Sequence, residues 1–293
     1  MRRDARLEAW AVRPGEAAVE ALIAALSELD REGVDGVFLG VGVGIDPGVA
    51  RLAVLAAGIP PEVAVHLCSG ADAGHAALHA AAHAMFSGYH QTVLAGAVAG
   101  TSRECWPPEG RTEDLDWRMS FPSEAEQGTH RIAQHALTAA EWFGRHGGET
   151  EGDLLAAHSV RPGAAAIRLS GAGNGPRIAS LAAGGADPAG AGHAVALAGS
   201  RALHHVQLGV DVVDAAVISQ VLPAEQAATA AALGLSPACI RDAPVASPAV
   251  GSLLSLPCLL EAIAASDGRH GLLLSGGVDG LGRATLLDTM PFA

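Results

Sequence analysis

Apolar and polar positions alternate between two periods along this chain, and the alternation itself predicts the architecture. Residues 15–34, GEAAVEALIAALSELDREGV, place apolar side chains at helical spacing and stop at Glu32-Gly33. Residues 35–44, DGVFLGVGVG, form an apolar run of strand length. Residues 45–61 predict a helix with proline near its start and Gly-Ile-Pro-Pro after its end. The stretch from 62 to 103 then predicts a buried strand, a Ser69-Gly70 turn, an Ala-rich helix closed by Ser87-Gly88 and a second buried strand. The opening order is therefore α, β, α, β, α, β, with no strand ahead of the first helix.

From Thr101 to about His158 the chain turns charged and proline-containing, with an amphipathic helix expected at about 124–146. Strand character resumes at 162–170 and GAGNGP (171–176) is a turn. A strand and a helix follow over 178–210, a strand over 212–220, helices over 224–235 and 252–266, and the strands HGLLLSGG and RATLLDTM close the chain. This alternation predicts an α/β protein with a mainly parallel sheet covered by helices on both faces. The strongly apolar helices beginning at Ala71 and Ser252 have similar length, and each leads into a buried strand ending in glycine. They suggest two similar α/β halves, 1–170 with an inserted segment at 101–158, and 171–293, with the two helices back to back.

Composition narrows the partners. The net charge is −13 and no Lys/Arg run exists, which argues against nucleic acid. No apolar run reaches the 18 or more residues of a bilayer span, so the expectation is a soluble cytoplasmic protein with no membrane partner. Aromatic residues are only 3% of the chain, so the core must be built from Ala, Val, Leu and Ile with closely apposed elements. Cys68, Cys105, Cys239 and Cys258 form no C-x-x-C pair and read as reduced thiols.

Several residues carry candidate chemistry. Cys68 precedes the Ser-Gly turn and is either a nucleophile or a buried strand thiol. His75, His79 and His83 recur every four residues with Asp72 one turn earlier, a spacing that can share a metal or line a polar interface. His66 reads as a core histidine. GVGVGIDPG (40–48) has proline in the wrong place for a pyrophosphate cradle, and GGVDGLG (276–282) lacks the Lys-Ser/Thr of a phosphate loop. No cofactor is implied. The acidic run at 109–116, flanked by Trp106 and Trp117, is a candidate partner contact.

Three segments together carry a family resemblance: Gly74, Ala77, Leu78 and Gly88 with the strand VLAGAVAGTSR; ISQVLPAEQAATAAALGLSP (218–237); and PAVGSLLSLPCLLEAIAASDGRHGLLLSGGVDGLGRATLLD (248–288). The chain resembles the thiolase superfamily, most closely its β-ketoacyl-ACP synthase III branch. That resemblance implies a thiolase-like fold and a Cys-His-Asn site, the thiolate at a helix N-terminus and the other two polarising a thioester carbonyl. Counting back 17 residues from Gly88 places the cysteine position at Ala71; the histidine position falls on Ser219 and the asparagine position near Val250. What the resemblance then implies is a non-catalytic subunit whose catalytic set is absent. Its partner would be a catalytic synthase-III-like subunit in a heterodimer, or a second copy in a homodimer, with acyl-CoA or acyl carrier protein engaged through the partner. The alternative is an active acyltransferase that forms an acyl thioester on Cys68.

Overall fold

The computed structural model describes residues 4–14, 18–42, 45–70, 72–99, 163–186, 191–219, 223–243, 248–276 and 280–289. The acidic run, Trp106, Trp117, Cys105, Ala71 and the helix expected at 124–146 lie outside them.

The first strand, β1 (Arg6–Pro14), occupies the middle of the sheet, where the sequence reading had placed no strand. Its alternation of Leu7 and Ala11 inward with Glu8 and Trp10 outward is short and interrupted, which hid it. Next come α1 (Ala18–Glu28), β2 (Gly36–Val41), α2 (Pro47–Ala56), β3 (Ala64–Ser69), α3 (Ala73–Ser87) and β4 (Thr92–Ala99). The described chain resumes with β5 (Gly163–Ser170), β6 (Arg177–Gly185), α4 (Ala191–His205), β7 (Ala215–Ser219), α5 (Pro223–Leu233), β8 (Ile240–Arg241), α6 (Pro248–Leu254), α7 (Leu256–Ala265), β9 (His270–Gly276) and β10 (Leu281–Asp288). Local chemistry sets several of these limits. Asp46 caps α2 by accepting from the Gly48 N–H at 2.6 Å, and Gly88 closes α3 at φ 80°, a conformation that favours glycine. Pro257 brings no N–H to the ladder, so the helix expected as one piece over 252–266 divides at Ser255 into α6 and α7.

The ten strands form one sheet in the order β3-β2-β4-β5-β1-β6-β10-β9-β7-β8. It is mixed rather than mainly parallel. β2 runs parallel to β3 and β4, and β7 runs parallel to β8 and β9; the pairs β1/β5, β4/β5, β6/β10 and β9/β10 are antiparallel. The β9–β10 connection is too short for a crossover, so it must return antiparallel. Adding five to each strand number turns 3-2-4-5-1 into 8-7-9-10-6, the order read from the opposite edge. The two runs of five meet at a single residue pair, Arg6 with Arg177.

Burial divides into three apolar clusters. α1 and α2 cover one face of the first five strands, with Leu22, Leu26 and Val54 against Leu39, Leu94 and Val98. α4 covers the last five strands, with Val195 and Ala198 beside Ala216, Ile218, Leu272 and Leu274. The central cluster joins α3, α6 and α7 to inward-facing residues of both runs, among them Ala95, Ala97, Ile167, Val217 and Leu273. Close approach replaces bulk here: a Cβ at Gly40 would run into the backbone of Ala73 and Gly74 at the start of α3. Among the described residues, no helix is long and apolar enough to cross a membrane.

Candidate functional site

The start of α3, the start of α6 and the end of β7 converge in the central layer. A Cβ on Gly74 would sit 2.6 Å from the Ala249 carbonyl oxygen, and one on Gly251 would sit 2.6 Å from Ser219 Oγ. At Gly74, against backbone, a larger side chain would push α3 and α6 apart, whereas at Gly251 the Ser219 hydroxyl would have to turn away. Ser219 thus lies against Gly251, the residue after Val250, and both Ser219 and Val250 are buried. Val250 itself, near which the resemblance puts an asparagine, belongs to the apolar core. Ala71 falls in the gap between Gly70 and Asp72, outside the described residues.

The polar stripe of α3 begins one residue later and faces the other half of the molecule. Asp72, at the N-cap of α3, pairs with Arg283 of β10 at 2.8 Å; the carboxylate is nearly inaccessible while the guanidinium is about a fifth exposed. A negative side chain at a helix start is favoured by the helix dipole. His75, fully buried, sets Nδ1 2.6 Å from Ser275 Oγ and Nε2 2.8 Å from Thr285 Oγ1. His79 Nε2 lies 3.2 Å from the same threonine oxygen. Thr285 has one hydroxyl proton, so it donates to one ring at most and the other ring must donate to it.

Both rings are held neutral. Burial, then the neighbouring His79 and Arg283 charges, push the His75 pKa well below the ordinary histidine value. Burial, Arg283 and His83 lower that of His79 to about 3, against a smaller opposing hydrogen bond that the ring donates to the Ala284 backbone carbonyl. His83 leaves the seam and is exposed, its ring centroid 6.4 Å from that of His79. The four-residue spacing therefore serves a buried hydrogen-bonded joint at His75 and His79. Among the described residues, no group of three or more His, Cys, Asp or Glu is placed to hold a metal ion.

The strand expected to be buried before the turn is instead the exposed edge of the sheet. Most of the β3 side chains face solvent, with Leu67 43% exposed. His66, expected in the core, is exposed and stacks on Phe38 at 4.6 Å with a 14° interplanar angle. An apolar composition did not distinguish a covered strand from one lying at the sheet edge. Cys68 is a free, half-buried thiol within β3, five residues before the first residue of α3. Burial raises its pKa, with Arg283 opposing and Asp72 reinforcing, so the reactive thiolate is disfavoured.

Arg283, Ser275 and Thr285 are the partners that sequence reasoning missed. They stand on β9 and β10, about 200 residues from α3, as isolated polar positions within apolar strands. That interruption was the available signal. No family model matches the chain, and no curated protein matches its sequence.

Proposed function

We propose that this protein is the non-catalytic subunit of an acyl-condensing complex, thiolase-like in fold and related to β-ketoacyl synthase III, working beside a subunit that holds an intact Cys-His-Asn set. The observation that supports this reading is the convergence of the starts of α3 and α6 with the end of β7, where the positions that the resemblance assigns to histidine and asparagine hold Ser219 and Val250, both buried. Neither residue can polarise a thioester carbonyl as that pair would. The repeated strand order supports the two-halved thiolase-like architecture. The six-residue β3 edge, free of charged side chains and largely exposed, supports a subunit that pairs along its sheet.

The second reading, an active acyltransferase using Cys68, is favoured by one observation: the thiol is free and partly accessible. Intact-mass spectrometry after incubation with acetyl-CoA and with longer acyl-CoA thioesters separates the two. No covalent acyl adduct is expected. An adduct mapped to Cys68 and absent from Cys68→Ser would sink the first reading and establish the second. Co-expression with a synthase-III-like protein carrying Cys, His and Asn should give a stable pair whose condensing activity exceeds that of the partner alone.

A further inference from the structure

The α3 stripe does not end in the buried joint. One turn beyond His79, His83 and then Phe86 emerge, with ring centroids 6.3 Å apart in an edge-on arrangement, and form one wall of a cleft of about 370 Å³. The second wall is Ala179, Ser180 and Leu181 of β6. Here the strand has just parted from β1, whose ladder with β6 is the single Arg6–Arg177 pair, and Ala179 is the extra residue of a bulge against β10. The third wall is His205 and Val206 at the end of α4, turned by Gln207 at φ 58°. The cleft thus sits where both five-strand runs meet, a common location for small-molecule sites, and at the small end of their usual volume range. It shares no lining residue with the Ser219–Val250 junction.

Its chemistry is specific for so acidic a chain. Among the described residues no Asp, Glu, Lys or Arg lines the cleft, although the whole protein carries 31 acidic residues against 18 basic ones. The polar groups are two imidazoles and the Ser180 hydroxyl, all able to donate, and the rest is Phe86, Leu181, Val206 and Ala179. A ligand cation would find no carboxylate among these lining residues. An anionic head would find N–H and O–H donors, and a flat or branched apolar body would find the Phe86 and Leu181 wall.

We propose that this cleft binds a small monocarboxylic acid with an aromatic or branched apolar body, its carboxylate toward His83, His205 and Ser180 and its body against Phe86, Leu181 and Val206. Titration calorimetry at pH 7 with sodium benzoate as the probe, and benzylamine as the charge-reversed control, tests it. Benzoate is expected to bind with Kd below about 1 mM and benzylamine at least about tenfold more weakly. His205→Trp, which fills the cleft from an exposed position, should abolish benzoate binding. Phe86→Ala should weaken it by about tenfold, while the double change His83→Gln and His205→Gln narrows the benzoate-to-benzylamine ratio. Circular dichroism of each variant establishes that it is folded. The proposal is overturned if the unaltered protein gives no benzoate binding, if benzylamine binds equally well, or if folded His205→Trp binds benzoate unchanged.

Discussion

The first five strands and the last five are built on one plan, and the plan reaches individual residues. Asp35, just before β2, sends its backbone N–H to the Thr92 carbonyl and accepts the Gln91 N–H on its side chain at 2.9 Å. Asp214, just before β7, sends its N–H to the His270 carbonyl and accepts the Arg269 and His270 N–H groups at 2.7 and 2.8 Å. The bulges also correspond, at Glu8 in β1 and Ala179 in β6, each the third residue of its strand. The differences lie elsewhere. β3 is a six-residue uncharged edge, while its counterpart β8 has two residues and ends in Arg241. The inner helix of the first run, α3, is continuous and presents Asp72, His75 and His79 to the second; α6 and α7 offer a broken, mostly apolar surface. The devices that fix strand spacing recur in both runs, whereas the histidine-bearing inner helix and the long uncharged edge belong to the first alone.

Four measurements test how far the two runs differ. The largest effect is expected from Arg283→Ala, which strips the guanidinium from a buried carboxylate across the joint. A loss of about 3 kcal/mol in urea unfolding is expected, below the upper range for buried pairs because Arg283 is partly exposed. A loss under about 0.5 kcal/mol would mean that the joint does not hold the runs together.

Acid comes second. His75 and His79 stay neutral in the folded protein but take up protons in the unfolded chain below its ordinary histidine pKa of about 6.5. Folded-state values that are depressed give stability present above that point and lost as pH falls from it toward the lowered values, near 3 for His79. Each ring contributes a slope of up to about 1.4 kcal/mol per pH unit. Replacing His75 and His79 together by Gln should flatten unfolding stability between about pH 6 and pH 4.5, and an unchanged slope would refute the assignment.

Third, Asp214→Ala should cost about 2 kcal/mol and Asp35→Ala about 1, since the former loses two backbone donors and the latter one. Asp214 is held below the ordinary carboxylate pKa, chiefly by the His270 N–H, so its contribution disappears only under strong acid. Equal losses would show the two clamps to be energetically interchangeable. Smallest in stability is Leu67→Lys on β3, expected within about 0.5 kcal/mol of the unaltered protein. Its effect should appear in sedimentation velocity instead, as a shift of any self- or partner-associated species toward the free chain.

Much of this was legible in the sequence. The helices at 18–28, 47–56 and 73–87 announced themselves through periodicity and their glycine or proline limits. Two apolar helices of similar length leading into glycine-ended strands suggest a repeated plan in the sequence, and the mirrored strand order and the two aspartates, which no local pattern reports, agree with it. β1 was missed because its alternation is broken by a bulge at Glu8. The β3 edge was misread because apolar composition reports a strand and not its neighbours. At the candidate site, the four-residue spacing of His75 and His79 was visible in the sequence, but the His75–Ser275–Thr285 joint spans about 200 residues and depends on how the two runs face each other.

β1 has a consequence for how the chain is made. Its neighbours are β5, which begins at Gly163, and β6, which begins at Arg177. During synthesis β2, β3 and β4 can assemble with α2 and α3 once residue 99 is free of the ribosome, while the N-terminal strand has nothing to pair with. At ordinary elongation rates that wait is on the order of 10–30 s. For that time Leu7 and Ala11 are sticky surface, and Arg6, Glu8 and Arg13 interleaved with them are the charges that keep a waiting strand from its neighbours on the same polysome.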